Sequence, residues 1–336
     1  SERALNRDER LRTPSTLASA NASPAPRRAG WHRKLPLPNV KFRPADLPPD
    51  VAVFVWGAVL ATGPFITELE NPYALTGYDL RALPLWRGLL RRLLLQPRCL
   101  DIRCMSEACR KNLALEFGDR VASKARVVYP RFAVAPCPRI APRSPGPRFV
   151  FISTQFEIKG GAALLRAFPA VRAVYPEATL DLITHLPEDR RELARQRGVH
   201  VHAANMSREA VWSRFLSDAD VLVHPTYLDS FALVVLEGLA HGLAVVATDV
   251  YAVREMVQDG LNGCLLPPPL SMWDGYRPSP LFSRLAEAPV EAARLDSADF
   301  ERELARAMIE IAQPDRLQHA QRASRRLYEQ KFSPPA

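Results

Sequence analysis

Two acidic side chains, eight residues apart, stand at the start and in the middle of one predicted helix. Asp229 precedes the helix in the position of an N-cap, and Glu237 lies two turns into it. We predict the helix over residues 231–241, with Gly242 ending it. The first amides of a helix lack intrahelical acceptors and carry partial positive charge, so such an N-terminus is a typical phosphate site. A ligand with a phosphate and a hydroxyl-bearing ring could therefore contact both acids.

Backbone amides and one lysine complete this predicted anion site. The amides of Phe231, Ala232 and Leu233, next to Ser230, are expected to point outward, and the small Ala232 would let a ligand approach closely. Lys159 is isolated among arginines, which favours a specific role for its charge. Taken alone, these residues also fit a plainer interpretation, since an acid before a helix is often only a cap and a helical glutamate is often only solvated.

A strand–helix–strand pattern must position these residues. Residues 221–223 form an apolar run that ends at His-Pro, and residues 244–247 form the next one, as expected for buried parallel strands. A helix between two parallel strands is the crossover that such a sheet requires. Further strands are predicted over residues 148–153, 178–184 and 199–202.

A series of short motifs in this order resembles a known family. The motifs are Asp229-Ser230-Phe231-Ala232-Leu233, Leu236-Glu237-Gly238-Leu239-Ala240, Gly242-Leu243-Ala244-Val245-Val246-Ala247-Thr248 and Glu255-Met256-Val257. From about residue 149 to residue 333, the chain resembles the donor-binding half of a GT-B glycosyltransferase of the retaining group 1, or family 4. The two acids match that family's acid-x7-acid motif, with Asp in a place where Glu is commoner.

The resemblance implies roles for the matching residues. Lys159 matches the lysine of a Gly-Arg-x4-Lys-Gly motif that clamps the donor diphosphate, whereas Thr154 replaces the arginine and loses its bidentate fork. Glu237 is expected to accept hydrogen bonds from the ribose. Asp229 is expected to hold sugar hydroxyls and to stabilise positive charge at the anomeric carbon. The loop after the strand that ends at His202 is expected to touch the nucleotide base.

The acceptor side carries one candidate base. Glu70 and Asn71 follow a predicted strand, residues 64–69, at a point where the family often has Thr-x-His-Asp. By position Glu70 stands for that histidine, and a carboxylate there could accept a proton from an attacking hydroxyl. A surface glutamate at a strand end is an equally good interpretation.

Proline-rich stretches divide the chain. We predict an irregular segment over residues 1–50, an acceptor-side Rossmann-like domain over 51–141 and a donor-binding domain over 142–333, joined by the proline-rich segment 136–147. The implied fold is α/β GT-B, with two doubly wound parallel-sheet domains facing across a cleft. The first domain is expected to be truncated or rebuilt, because the family's opening strands and Gly-rich turn are not evident. Residues 267–296 are interpreted as an inserted loop.

Composition narrows the function classes. The net charge of +9 comes almost entirely from arginine, without a basic tract interleaved with aromatics, so no nucleic-acid partner is expected. The five cysteines show no metal-ligand spacing, so we expect no metal, and reduced thiols without a signal peptide favour a cytoplasmic protein. A basic helix predicted over residues 80–95 leaves open contact with the inner membrane face, beside the plainer interpretation of a solvated face.

The resemblance implies transfer of a sugar from a UDP- or GDP-linked donor, used as substrate without a further cofactor, to a glycan, lipid or small-molecule hydroxyl with retention of configuration. Two alternatives stay open: a sugar-nucleotide epimerase, and a weakened transferase that only binds nucleotide sugar. A nicotinamide-dependent oxidoreductase is disfavoured, because the sequence contains no G-x-G-x-x-G turn after a strand.

Overall fold

The chain forms two α/β units, Ser1–Val128 and Tyr129–Ala336. The structure is a computed structural model that describes residues 36–132, 145–279 and 297–334. The predicted domain boundary after residue 141 lies within 133–144, outside the described residues, and stays a prediction.

A four-stranded parallel sheet forms the first unit. Its order is β2-β4-β5-β6, and a separate parallel pair joins β1 to β3. The strands are β1 (Val40–Lys41), β2 (Val53–Trp56), β3 (Val59–Leu60), β4 (Phe65–Leu69), β5 (Cys99–Cys104) and β6 (Ala125–Val127). The helices are α1 (Ala82–Leu95), α2 (Glu107–Phe117) and α3 (Asp119–Ala122). The apolar core includes Leu69, Leu90 and Ile102, which are fully buried.

Local sequence signals explain two helix starts in this unit, and one prediction needs a correction. Ser106 caps α2, because its Oγ accepts a hydrogen bond from the Cys109 amide at 3.0 Å. The interpretation of residues 1–50 as irregular is incomplete, since β1 lies in that segment. Directly after Asn71 the chain forms a 3-10 helix, Pro72–Thr76, whose first turn Asn71 caps.

A six-stranded parallel sheet forms the second unit. Its order is β12-β11-β10-β7-β8-β9, which is the doubly wound Rossmann arrangement read from the opposite edge. The strands are β7 (Arg148–Ser153), β8 (Thr179–Thr184), β9 (Val199–Ala203), β10 (Val221–His224), β11 (Ala244–Thr248) and β12 (Gly263–Leu266). Strands β10 and β11 are buried along their whole length, which explains their continuous apolar sequences.

Helices and one small hairpin surround this sheet. The helices are α4 (Gly161–Val174), α5 (Arg191–Ala194), α6 (Arg208–Val211), α7 (Leu233–Ala240), α8 (Ala298–Ile311) and α9 (Pro314–Leu327). Helix α4 packs against α8, and α9 packs against α7. The hairpin, β13 (Trp273–Asp274) and β14 (Arg277–Pro278), lies where a loop was predicted, and residues 280–296 of that loop are outside the described residues.

Most arginines of the basic helix contact acidic or carbonyl groups of the first unit. Arg81 pairs with Asp79 at 2.8 Å, Arg87 pairs with Glu116 at 2.8 Å, and Arg91 donates to a backbone carbonyl of α2. These contacts fit the interpretation of a solvated face, and membrane contact stays a prediction. No helix in the described ranges combines the length and the apolar character that crossing a bilayer demands.

Candidate active site

The candidate site lies at the point where the strand order of the second sheet reverses. Strands β7 and β10 are neighbours there, and the chain leaves them toward opposite sides of the sheet. Ligands of doubly wound folds bind at this switch point, outside the carboxyl ends of the strands. Lys159 lies in the loop after β7 and Asp229 in the loop after β10. The parallel topology therefore places the predicted cation and the predicted acid at the same edge.

The two loops are packed backbone against backbone. The Tyr227 amide donates to the Ile158 carbonyl at 3.0 Å. Gly160 has φ +76°, and a Cβ built on it would lie 2.1 Å from the Pro225 carbonyl oxygen. Only glycine satisfies both conditions, so Gly160 is needed to seat Lys159 against the β10 loop.

The Lys159 ammonium is held by the β10 loop. It donates to the Leu228 carbonyl at 2.5 Å and to Asp229 Oδ2 at 2.8 Å. The two charged side chains are 16% and 15% exposed, respectively, so this ion pair is shielded but reachable. An ammonium has three donors, and these two contacts occupy two of them.

The Asp229 carboxylate gathers donors on both oxygens. Its Oδ1 accepts the Ser230 amide at 3.0 Å and the Ala232 amide at 2.8 Å. Its Oδ2 accepts from Lys159 and lies 3.0 Å from Nε2 of His224. Burial acts to raise the pKa of Asp229, but Lys159 and His224 outweigh it and hold this pKa well below its usual range. Asp229 is therefore an anion that links the lysine to the start of α7.

The start of α7 differs from the prediction. The helix begins at Leu233, and Ala232 is its N-cap with φ +61°, in the left-handed region. The prediction that the Ala232 amide points outward to a ligand is wrong, because Asp229 Oδ1 already accepts it. The side chains of Phe231 and Ala232 are buried. The first helical amides, Leu233 and the next residue, are the ones that lack intrahelical acceptors.

His224 is a site residue that the sequence motifs did not single out. Its side chain is 2% exposed, and Nδ1 is a buried atom without a hydrogen-bond partner. Burial lowers the pKa of His224, and the nearby Asp229 only partly opposes that effect. The imidazole is therefore neutral at ordinary pH, and its Nε2–H donates to Asp229.

Glu237 is paired within the unit. Its Oε1 lies 3.0 Å from Nε of Arg208, and the carboxylate is 10% exposed. Burial raises the pKa of Glu237, while Arg208 acts in the opposite direction. The Arg208 guanidinium also lies 5.8 Å from the ring centres of Phe132 and Trp212. Arg208 is a second residue that the sequence did not flag, because a lone arginine at a helix start carries no distinctive spacing.

The remaining predicted residues are found in three settings. Thr154 is exposed in the loop directly after β7. His202, at the end of β9, has Nε2 2.8 Å from Asp181 Oδ1. Glu70 belongs to the first unit, where it accepts the Tyr78 hydroxyl at 2.5 Å. The roles predicted for these residues remain predictions.

Comparison with known proteins identifies a family that part of the second unit resembles. A Rossmann-like unit with a helix N-terminus at its switch point belongs to the class of doubly wound folds, which bind their ligands at that point. Residues 146–272 match the model of the family Glycosyl transferases group 1. The resemblance predicted from the sequence is thus confirmed for this segment.

Curated relatives match over a short part of their length. A phosphatidyl-myo-inositol mannosyltransferase of Mycobacterium tuberculosis is 36% identical over 111 residues, which is 32% of this chain and 29% of the relative. A D-inositol 3-phosphate glycosyltransferase of Paenarthrobacter aurescens is 41% identical over 70 residues, which is 21% of this chain and 15% of the relative. The chain therefore aligns with less than a third of each of these two proteins.

Solved structures share the fold. The Anabaena protein Alr3699/HepE, in complex with UDP and glucose, has a TM-score of 0.56 at 15% identity, covering 81% of this chain and 68% of that one. The pneumococcal O-GlcNAc transferase GtfA, in complex with UDP and GlcNAc, has a TM-score of 0.55 at 13% identity, covering 80% and 49%. At these identities the likeness concerns the fold alone, and it confirms the predicted GT-B class.

Proposed function

We propose that this chain is a glycosyltransferase that moves a sugar from a UDP- or GDP-linked donor to an acceptor hydroxyl with retention of configuration. The observation that carries the proposal is the contact of Lys159 with Asp229 at the N-terminus of α7. This contact brings a cation and a helix dipole to one point at the sheet's switch point. The group 1 match over residues 146–272 and the names of the relatives support the same activity.

The proposed chemistry is stabilisation of the leaving diphosphate. Charge builds on the diphosphate as its bond to the sugar breaks, and donors aimed at that charge lower the barrier. We assign this task to the remaining N–H of Lys159 and to the first amides of α7, with Thr154 contributing at most a hydroxyl. The Asp229 carboxylate then faces the sugar, where positive charge develops at the anomeric carbon.

Nucleotide binding is assigned to the other predicted residues. Glu237 would accept the ribose hydroxyls, and Arg208 would have to share or release it. Ser230 and the loop after β9, with His202, would contact the donor. The acceptor would be a glycan, lipid or small molecule, and Glu70 in the first unit is the proposed base. Contact with a membrane surface would be peripheral.

One observation favours a second candidate function. Lys159 and Asp229 form a pair with no net charge, and Thr154 supplies no charge where the family has arginine. The attraction for a diphosphate is therefore weaker than that of an unpaired lysine and arginine. A protein that binds nucleotide sugar without turning it over fits this weaker clamp.

A single incubation separates the candidates. Purified protein is mixed with radiolabelled UDP- and GDP-sugars and a lysate that supplies acceptors. Label in a new product together with free UDP or GDP supports a transferase, whereas an isomerised donor indicates an epimerase. Tight binding of the donor without either product indicates a binding protein and contradicts the transferase proposal.

A further inference from the structure

The hairpin β13–β14 reaches back to the loop that carries Asp229. Its first residue, Trp273, directly follows the segment matched by the family model, residues 146–272. The indole Nε1–H of Trp273 donates to the Asp229 carbonyl at 2.9 Å, and the residue is 6% exposed. The buried indole therefore holds the backbone carbonyl of Asp229, the acid at the centre of the site.

The backbone around Trp273 is fixed on both sides. The Met272 amide donates to the Tyr227 carbonyl at 3.3 Å, which ties the hairpin to the β10 loop. Ser271 Oγ donates to the Trp273 carbonyl at 2.6 Å and accepts the Trp273 amide at 3.2 Å. Met272 is fully buried. These contacts leave the indole little freedom to move away from Asp229.

An aromatic stack fixes the plane of the indole. The Tyr251 and Trp273 rings lie 4.1 Å apart at an interplanar angle of 25°. Tyr251 has φ +47°, an unusual conformation for a residue other than glycine. Tyr276 of the same hairpin lies edge-on to Tyr251 at 6.5 Å. The stack holds the N–H in line with the Asp229 carbonyl.

Holding this carbonyl has a direct consequence for the carboxylate. In a trans peptide the N–H of the next residue points opposite to the C=O. With the Asp229 C=O turned to the indole, the Ser230 N–H is turned to Asp229 Oδ1, at 3.0 Å. The orientation of one peptide plane therefore fixes the carboxylate that in turn binds Lys159 and the α7 N-terminus.

We propose that Trp273 is a positioning residue, which orients the Asp229 carboxylate and through it the Lys159 ammonium toward a bound diphosphate. The link to the diphosphate rests on the proposed function, whereas the link to Asp229 does not. Trp273 touches neither reacting atoms nor ligand in this role. Its effect is transmitted through one peptide plane.

The test compares two tryptophans that make the same type of bond. Trp273→Phe removes the indole N–H and keeps a ring to stack on Tyr251. Trp86→Phe removes an equivalent bond, from Nε1 to the Pro36 carbonyl at 2.7 Å, in the first unit. Imidazole ¹⁵N signals of His224 in the ligand-free protein, assigned with His224→Gln, report the carboxylate. Calorimetric Kd values for UDP and uridine report the phosphate-specific part of binding.

We expect Trp273→Phe to shift the His224 signals and to weaken UDP binding roughly three- to tenfold, the effect of one lost hydrogen bond, without changing uridine binding. Trp86→Phe changes neither. Ser271→Ala keeps the indole but removes the hydrogen bonds that anchor its backbone. It should change the His224 signals and the UDP affinity in the same direction by a smaller amount. This variant replaces Trp273→Phe in the test if Trp273→Phe does not fold.

The inference is overturned if folded Trp273→Phe retains both the wild-type His224 signals and the wild-type UDP affinity, or if Trp86→Phe reproduces its changes. If the wild-type protein does not bind UDP, the UDP-linked form of the proposed donor is wrong. The inference is then judged on the His224 signals alone, which support it if they shift and overturn it if they do not.

Discussion

Lys159 Nζ lies 2.8 Å from Asp229 Oδ2, and this contact joins two loops that are 70 residues apart in sequence. Asp229 binds the amide of the α7 N-cap with its other oxygen, so the lysine and the helix meet through one carboxylate. The protein thereby neutralises its own cation. A phosphate that binds here would use the remaining ammonium donor and the first helical amides, and it would lie beside an acid suited to positive charge on the sugar.

Replacing the acid should destabilise the fold. Asp229→Asn leaves a shielded ammonium without its counter-charge, so we expect the free energy of unfolding to fall by about 3–5 kcal/mol. Urea unfolding followed by tryptophan fluorescence measures this change. The double variant Asp229→Asn with Lys159→Met should lose less than the sum of the single variants, because it removes both charges. Additive losses would show that the two side chains are not coupled.

His224 should make stability depend on pH. Burial holds its pKa below the ordinary 6.5, so the unfolded chain takes up a proton first as the pH falls. This contribution to stability is present above pH 6.5 and is lost as the pH falls through the folded pKa, with a slope of up to about 1.4 kcal/mol per pH unit. His224→Gln keeps a donor to Asp229 but does not titrate, so its slope below pH 6.5 should be shallower.

Comparison of the wild type with His224→Gln isolates the contribution of His224 to the pH dependence of stability. The raised pKa of Glu237 acts with the opposite sign, since its contribution is present below 4.5 and lost as the pH rises through the folded pKa. Glu237 is common to both proteins and cancels in the difference. Urea unfolding between pH 7 and pH 5 provides the slopes. Identical slopes would mean that His224 titrates alike in the folded and unfolded chains.

Restoring the missing arginine should strengthen the clamp. Thr154→Arg places a guanidinium in the exposed loop after β7, where charge-assisted bonds to a diphosphate should tighten UDP or GDP binding about tenfold or more. Gln155→Arg adds the same charge at the adjacent exposed position and serves as the control. Calorimetry measures the UDP and GDP affinities of both variants. Equal gains would reflect general electrostatic attraction and not a specific clamp.

The proposed base, Glu70, should affect the rate of sugar transfer but not the affinity for nucleotides. Glu70→Gln is expected to lower sugar transfer by roughly 10²–10⁴-fold, the usual contribution of general base catalysis, and to leave UDP and GDP affinity unchanged. Tyr78→Phe removes the 2.5 Å hydrogen bond to Glu70 but keeps the carboxylate, so transfer should persist. Full transfer activity in Glu70→Gln would return Glu70 to the role of a structural side chain.

Much of the scaffold could be predicted because its signals are local. The strands Arg148–Ser153 and Thr179–Thr184 lie where the sequence predicts them, since apolar runs with flanking prolines mark buried strands. The Ser106 and Ser207 caps were likewise predictable from residue type, and both side chains accept the expected amide. The order of motifs was sufficient to predict the family resemblance and, with it, the GT-B class.

The finer geometry of the site depended on contacts that spacing does not encode. Nothing local indicates that Lys159 is neutralised by an acid 70 residues away. The left-handed conformation of Ala232 could not be predicted either, because glycine is the usual residue in that conformation. Because of it, α7 begins at Leu233 and not at Phe231. The Trp273 hairpin has strands of two residues, too short for any periodicity.

The most direct test of the central claim is the affinity of Lys159→Met for nucleoside diphosphates. Calorimetry with UDP, GDP and the corresponding nucleosides is run on the wild type, on Lys159→Met and on Lys124→Met. The Lys124 ammonium contacts two carbonyls in the first unit and provides the control. We predict that the wild type binds at least one diphosphate, that Lys159→Met binds it roughly ten- to a hundredfold more weakly with nucleoside binding unchanged, and that Lys124→Met matches the wild type. Equal diphosphate affinity in Lys159→Met and the wild type would contradict the account.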